Sequence, residues 1–283
     1  MNRGSAPMAA FIGTTPNIGT TSAAFAAAFR IAELSGMAVG YLCLNLKSAK
    51  LHRFLGVEEP EVTLDKLQPE LRSASLTAER LRGAGYGVPG LSNLKVLFGN
   101  LDREGAEYVG AEEIQHLLDT AQKAFDFVVL DVGAYWDNAA TVCCMRRSDS
   151  RIVVTTPALS HFQEDGGKWI GGVSALFGIQ PHQYDCIVMR TPWAKSGYGM
   201  NEICKELGCS PLGEFRLTES MLGGFDRGDF GAWLAEDAAG KAAMKKTAAV
   251  LMKRHGLRIA FPPMGGQPWY RKLLAYRNGV SST

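Results

Sequence analysis

The sequence has 283 residues, is 46% hydrophobic and carries a formal net charge of +2. This length and apolar content suit one large α/β domain with a sizeable core. The charge balance argues against nucleic-acid binding by the whole surface, and no apolar run reaches the roughly 20 residues needed to span a bilayer. Residues 1–8 lack the features of a secretory signal, so we expect a cytoplasmic protein.

Apolar runs alternate with amphipathic segments along the chain. The predicted strands cover residues 9–13, 37–46, 94–99, 125–132, 150–157 and 184–190. The predicted helices cover residues 22–34, 64–71, 110–125, 165–177, 199–208 and 242–256. A Gly-rich flexible turn is expected at 83–90. This alternation predicts an α/β fold with a mostly parallel sheet and helices on both faces.

The six cysteines are predicted to be core residues and not metal ligands. They include no C-x-x-C pair, and most lie in apolar runs where Cys behaves as a small hydrophobe. They are Cys43, Cys143, Cys144, Cys186, Cys204 and Cys209. The five histidines are scattered without metal-ligand spacing.

The loop between the first strand and the first helix stands where a phosphate-binding loop would lie. Such a loop, G-x-x-x-x-G-K-[ST], presents backbone N–H groups at a helix start while its lysine neutralises phosphate charge. The residues here are Thr14, Thr15, Pro16, Asn17, Ile18, Gly19, Thr20 and Thr21. Together with Asp131, which follows a buried strand, they are the predicted vestigial nucleotide-binding residues.

This loop, residues 41–56 and residues 125–137 resemble, in order and spacing, the MinD/ParA family of deviant Walker P-loop ATPases. The resemblance places Thr15 at the family's signature lysine and Thr20 at its Walker lysine. It also places Thr21 at the Mg²⁺-binding hydroxyl and Asp131 at the metal-linked acid of the Walker B strand. Thr21 and Asp131 are therefore the expected ligands if Mg²⁺ binds.

The substitutions predict that ATP is not hydrolysed. Phosphoryl transfer depends mainly on electrostatic stabilisation, and both lysines are missing. Asn45 and Lys47 stand where switch I of the family usually has acids, and Pro16 lacks an N–H group. Mg-ATP or Mg-ADP is expected to bind weakly or not at all. Lys47 is either a replacement cation or, as we prefer, a solvated lysine at the strand end. Arg190, at the position of a base-recognising Asn, is interpreted as a surface or pocket-filling residue.

Residues 41–56 and 128–162 look most like the TadZ/CpaE branch of the family, in which degenerate loops recur. That likeness implies a localisation or assembly factor for a Tad-type pilus or secretion machine, with protein partners in a membrane-associated assembly. The branch often has an N-terminal receiver-like domain, which we do not expect here because the first strand begins near residue 9. The alternative is an active or nucleotide-binding ATPase in DNA partition or division-site placement.

Self-association stays open. In the family the signature lysine reaches ATP across a two-fold interface, so Thr15 argues against an ATP-sandwich dimer but not against a constitutive one.

Two segments are distinguished, a domain over residues 1–260 and a basic, aromatic tail over residues 261–283. From Lys241 to the end there are nine Lys or Arg and no Asp or Glu. Residues 242–256 are interpreted as a core-packing helix in preference to a DNA-binding surface, so nucleic acid is not an expected partner. The tail either forms a short amphipathic helix for an anionic membrane surface or an acidic groove, or packs back on the domain. The helix is suggested by Trp269, Leu273 and Tyr276, which recur at helical spacing.

Overall fold

A computed structural model describes residues 5–191 and 197–260 of the chain. Its centre is an eight-stranded sheet. The strands are β1 Met8–Gly13, β2 Val39–Cys43, β3 Tyr86–Gly87, β4 Leu94–Leu97, β5 Phe127–Asp131, β6 Ser150–Thr155, β7 Tyr184–Arg190 and β8 Ser210–Arg216. Their spatial order is β3-β4-β2-β5-β1-β6-β7-β8. Only β3, at one edge, pairs antiparallel with its neighbour.

Helices follow most of the strands. The α-helices are α1 Thr20–Ser35, α2 Leu51–Phe54, α3 Leu64–Arg72, α4 Ala78–Ala84, α5 Ala111–Ala124, α6 Ala139–Arg147, α7 Ser174–Leu176, α8 Met200–Leu207, α9 Glu219–Arg227, α10 Phe230–Glu236, α11 Ala238–Ala242 and α12 Lys245–Arg254. The 3₁₀ segments are Glu104–Tyr108 and Pro181–Gln183, and the π-helical segments are Ser160–Asp165 and Gly167–Val173. Within the described ranges, no helix is long and apolar enough to cross a membrane.

The sheet is buried on both faces, which explains the continuous apolar runs in its strands. In β1, Met8 and Ile12 belong to the core on one face, whereas Phe11 belongs to the core on the other. Helix α1 packs in the second core, and nearly all of its residues are buried because α12 also lies against it. The helix ends at Gly36, whose φ of 64° gives the left-handed turn typical of a glycine C-cap.

The predicted α/β architecture is confirmed, with local differences. Residues 83–90, predicted as a flexible turn, contain the edge strand β3, because Tyr86 and Gly87 pair antiparallel with β4. The helix predicted over 165–177 begins earlier, at the π-helical segment Ser160–Asp165. The helices that were not predicted are α2, α4, α6, α9, α10 and α11.

The core-packing interpretation of residues 242–256 is confirmed. Helix α12 buries Ala248, Leu251 and Met252 completely, and Gly256 follows its end in a left-handed conformation. The predicted tail, residues 261–283, lies outside the described residues.

Candidate nucleotide-binding site

A cavity of about 220 Å³ lies at the carboxyl end of the sheet, over the start of α1. In open α/β sheets this end is the usual ligand-binding position. Seven of the predicted site residues line it, namely Thr15, Pro16, Asn17, Ile18, Gly19, Thr20 and Thr21. The opposite wall is apolar and includes Phe54, Leu217 and Phe225, with the two phenylalanine rings stacked 4.3 Å apart.

The loop over the cavity is fixed by the strands beside it. The N–H of Gly13 donates to the carbonyl of Gly133 at 2.6 Å, and the N–H of Thr14 donates to the carbonyl of Val154 at 2.9 Å. The hydroxyl of Thr14 pairs with that of Thr155 at 2.9 Å. Thr14 is therefore a fully buried anchor that does not line the cavity.

The turn into α1 requires glycine. Gly19 has a φ of 98°, and a Cβ there would stand 2.6 Å from the Met189 methyl. No side chain caps the helix start, so its first N–H groups face the cavity region. These donors and the positive end of the helix dipole are the part of a phosphate site that this chain retains.

The two threonines at the expected lysine positions form contacts inside the protein. The Thr15 hydroxyl donates to the carboxylate of Asp165, on the first π-helical segment. Thr20 is only 8% exposed, and its hydroxyl lies 2.5 Å from the point where a Cβ on Gly13 would be. Both hydroxyls thus contact other parts of the protein, and neither threonine brings positive charge to the cavity.

Lys50 is the one charged residue that lines the cavity among the described residues. Lys50 was not among the predicted site residues, although its place within residues 41–56, three residues after Lys47, was a usable signal. Lys47 does not line the cavity. Its ammonium is paired with Asp137 and lies 5.5 Å from the centre of the Tyr135 ring.

Asp131, the predicted Mg²⁺ acid, is completely buried and is not part of the cavity lining. Its carboxylate accepts hydrogen bonds from the Tyr41 hydroxyl at 2.9 Å and from the Gly133 N–H at 3.4 Å. Burial raises the pKa of Asp131, and hydrogen bonds from Thr21 and Tyr41 partly oppose that rise. The structure therefore brings Thr21 and Asp131 together, and the buried carboxylate lies beneath the cavity lining.

Tyr41 is the second residue that the sequence analysis missed. Strands β2 and β5 are parallel neighbours, and Tyr41 lies opposite Val129, two residues before Asp131. Burial, followed by the charge of Asp131, raises the pKa of Tyr41, so its phenol stays protonated and keeps donating.

Asn45 and Gly133 meet at the edge of the cavity. Asn45 is 9% exposed, and its Nδ2 donates to the carbonyl of Ser48 at 3.3 Å. Its Oδ1 has no hydrogen-bond partner among the described residues. A Cβ on Gly133 would stand 2.6 Å from this oxygen. Asn45 therefore brings no negative charge to the cavity, and its Oδ1 is buried against Gly133.

Arg190, interpreted as a surface or pocket-filling residue, lies outside the cavity lining and is partly exposed. Its guanidinium forms hydrogen bonds with Glu214 at 2.7 and 3.1 Å and with the carbonyl of Tyr198 at 3.0 Å. The contacts with Glu214 join β7 to β8.

The residues present fit a Mg-nucleotide poorly. The cavity is smaller than the roughly 300–1,000 Å³ of typical ligand clefts. A triphosphate would meet the start of α1 and one lysine, and no carboxylate in the described part of the chain lines the cavity to hold Mg²⁺. The arrangement suits weak anion binding and offers no group placed to activate water.

No protein-family model matches the sequence, and no curated protein does. Solved structures do match. A ParA family ATPase from Chlorobium tepidum TLS has a TM-score of 0.74 at 17% identity, covering 87% of this chain and 99% of its own. The septum site-determining protein MinD from Pyrococcus horikoshii OT3, complexed with Mg-ADP, has a TM-score of 0.71 at 17% identity, covering 90% and 100%.

A chain of the MinC:MinD cell division protein complex from Aquifex aeolicus is similar as well. It has a TM-score of 0.70 at 16% identity and covers 91% of this chain and 99% of its own. At these identities the likeness shows the fold. The chain has the mostly parallel, helix-covered sheet of the MinD/ParA P-loop ATPases.

Proposed function

We propose that this chain is a degenerate MinD/ParA-like protein, a pseudo-ATPase that acts as a localisation or assembly factor. The observation that carries the proposal is the state of Asp131, which is fully buried, bonded to Tyr41 and outside the cavity lining. A metal-linked acid must reach the metal or its bound water. The burial of Asp131 therefore favours a structural role for this residue over a catalytic one.

The loop supports the same conclusion. Thr15 and Thr20 supply no positive charge, and Lys50 alone lines the cavity with a cation in the described ranges. Stabilisation of a transferring phosphoryl group requires several preorganised positive groups. We therefore expect Mg-ATP or Mg-ADP to bind weakly at most, with no turnover.

The proposed task is to hold protein partners in a membrane-associated assembly, such as a Tad-type pilus or secretion machine, as the TadZ/CpaE-like segments suggest. Such a task depends on surfaces of the fold and not on hydrolysis. The protein would be cytoplasmic, with peripheral contact at the inner membrane face through residues 261–283, and a constitutive dimer is compatible with this role.

One observation favours a second candidate, a nucleotide-binding ATPase of DNA partition or division-site placement. The start of α1 is uncapped and faces the cavity, and Lys50 stands beside it. If Lys50 replaced the missing lysines, nucleotide binding could still switch the protein between states.

Affinity capture from native cells under mild crosslinking separates these candidates. A tagged full-length chain and a tagged Asp131→Ala chain would be compared, with the untagged strain as control. Recovery of the same pilus or secretion components with both chains supports the scaffold. Recovery of DNA or division proteins that is lost in Asp131→Ala would contradict it.

A further inference from the structure

Three cysteines form a sulfur cluster far from the cavity. Cys186 is the third residue of β7, Cys204 is in α8, and Cys209 immediately precedes β8. Their Sγ atoms all lie within 4.8 Å of one another. Among residues 5–191 and 197–260 this is the one set of three His, Cys, Asp or Glu side chains that converges so closely. From the sequence, all six cysteines are predicted to be core residues and not metal ligands, a prediction that did not anticipate the convergence of these three.

Backbone geometry holds the cluster in place. Helix α8 ends at Gly208, whose φ is 68°, and the N–H of Cys209 then donates to the carbonyl of Cys204 at 3.0 Å. This turn brings the two cysteines to the same side of the helix end. Cys186 faces them at a register irregularity between Cys186 and Ile187, where β7 pairs with β8. Such a bulge changes the direction of a side chain.

A fourth sulfur lies beside the three thiols. The Sγ of Cys204 is 3.5 Å from the Sδ of Met200, one turn earlier in α8. Cys186 and Cys204 are buried, whereas Cys209 and Met200 are partly exposed. An ion could therefore enter from the side of Cys209, while the inner face of the cluster excludes water.

Metal ligation by cysteine requires the thiolate, and a bound cation favours that form of each ligating thiol.

We propose that Cys186, Cys204 and Cys209 bind one soft d¹⁰ cation, Zn²⁺ or Cu⁺, as a trithiolate site, with the Met200 thioether as a fourth donor. Thiolates and thioethers are the ligands that such ions prefer. Sulfurs bound to one zinc at about 2.3 Å lie about 3.8 Å apart, so the observed cluster needs only a small contraction. Binding forms three metal–thiolate bonds, breaks three S–H bonds and releases three protons to solvent.

The bound ion would join β7, α8 and β8 at the amino ends of the two strands. The candidate nucleotide site lies at the opposite, carboxyl end of the sheet. The cation site is thus independent of the proposed function, and its role would be to fix the last βαβ unit of the domain.

Metal titration of the reduced, chelator-treated full-length protein tests the site. Co²⁺ serves as the spectroscopic probe, and Zn²⁺ and Cu⁺ are compared by competition and by elemental analysis. We expect one ion per chain and thiolate-to-Co²⁺ charge-transfer absorption. Saturating Zn²⁺ should raise Tm by about 5 °C. Preferential retention of Zn²⁺ or of Cu⁺ identifies the ion.

Variants separate the cluster from the other thiols. Cys204→Ala and Cys209→Ala should lose the absorption and weaken binding at least 100-fold, whereas Cys143→Ser, which alters a half-buried thiol outside the cluster, should retain both. Circular dichroism establishes that each variant is folded. Sub-stoichiometric binding, or equal binding by Cys209→Ala and Cys143→Ser, would overturn the proposal. So would a Cys204–Cys209 disulfide in protein purified under reducing conditions.

Discussion

The two halves of helix α1 differ sharply. Its first turn faces the cavity with Thr20 and Thr21, has no side-chain cap and lacks the expected lysine. Its second half contains Arg30, which is 1% exposed. The Arg30 guanidinium donates to the carbonyls of Leu234 at 2.5 Å, Gly240 at 2.6 Å and Ala243 at 3.1 Å. The contrast teaches that internal contacts hold this helix, so the fold does not require a ligand at its start.

The largest expected effect comes from the buried half. Arg30→Ala removes the donors that satisfy the carbonyl groups at the ends of α10 and α11 and leaves a cavity. We expect the free energy of unfolding to fall by about 3–5 kcal/mol, measured by urea denaturation. Arg147→Ala, in an exposed pair with Asp119, is the matched control and should cost about 0.5 kcal/mol or less. If Arg30→Ala and Arg147→Ala lowered the free energy of unfolding equally, the buried contacts of Arg30 would not be what stabilises α1.

A smaller effect is expected at Asp131, beneath the cavity. Its folded pKa is raised above 3.8, so between the two values the folded state binds more protons than the unfolded state. Wild-type stability therefore falls as pH rises through this window. The Asp131→Asn variant should not show that fall. At pH values above the folded pKa, its free energy of unfolding should rise relative to wild type by about 1.4 kcal/mol for each unit by which the pKa of Asp131 is raised.

Urea denaturation of both proteins at several pH values from 4 to 8 measures this difference. If the two proteins differed in free energy of unfolding by the same amount at every pH, the pKa of Asp131 would not be shifted by folding. If Asp131→Asn were less stable than wild type, and increasingly so as pH rises, the charged carboxylate would stabilise the fold. That result is expected for an acid kept for metal binding.

At the first turn of α1, one substitution should restore part of the missing chemistry. Thr20→Lys places an ammonium in the cavity lining, and we expect Mg-ATP affinity to rise about tenfold, which corresponds to about 1.4 kcal/mol. Calorimetry measures both proteins, and Thr20→Gln is a neutral control of similar length. Tight wild-type binding that Thr20→Lys leaves unchanged and Lys50→Ala abolishes would identify Lys50 as the replacement cation.

Six of the eight strands and half of the twelve described α-helices follow from the sequence, because buried strands form continuous apolar runs, as in residues 125–132. The loop residues were identifiable for the same reason, since they lie between a strand and a helix in a recognisable order. Partners that lie far apart in sequence could not be identified. Arg30 meets carbonyls more than 200 residues away, Tyr41 reaches Asp131 only through strand pairing, and Cys186 meets Cys204 only after β7 and α8 pack.

The smallest effect on stability is expected from removing the tail. Truncation after Pro263 should leave Tm nearly unchanged, because the hydrophobic cores found in residues 5–191 and 197–260 already cover both faces of the sheet. Localisation or partner binding should be lost, as seen by fluorescence microscopy of a tagged chain. A large fall in Tm would instead mean that the tail packs on the domain.

Steady-state phosphate release from Mg-ATP tests the central claim most directly. The full-length chain, Asp131→Ala and a heat-inactivated sample would be assayed side by side, with and without anionic vesicles. We expect all three to release phosphate at the same background rate, because Asp131 is buried and the loop has no lysine. Steady turnover by the wild type that disappears in Asp131→Ala would contradict it.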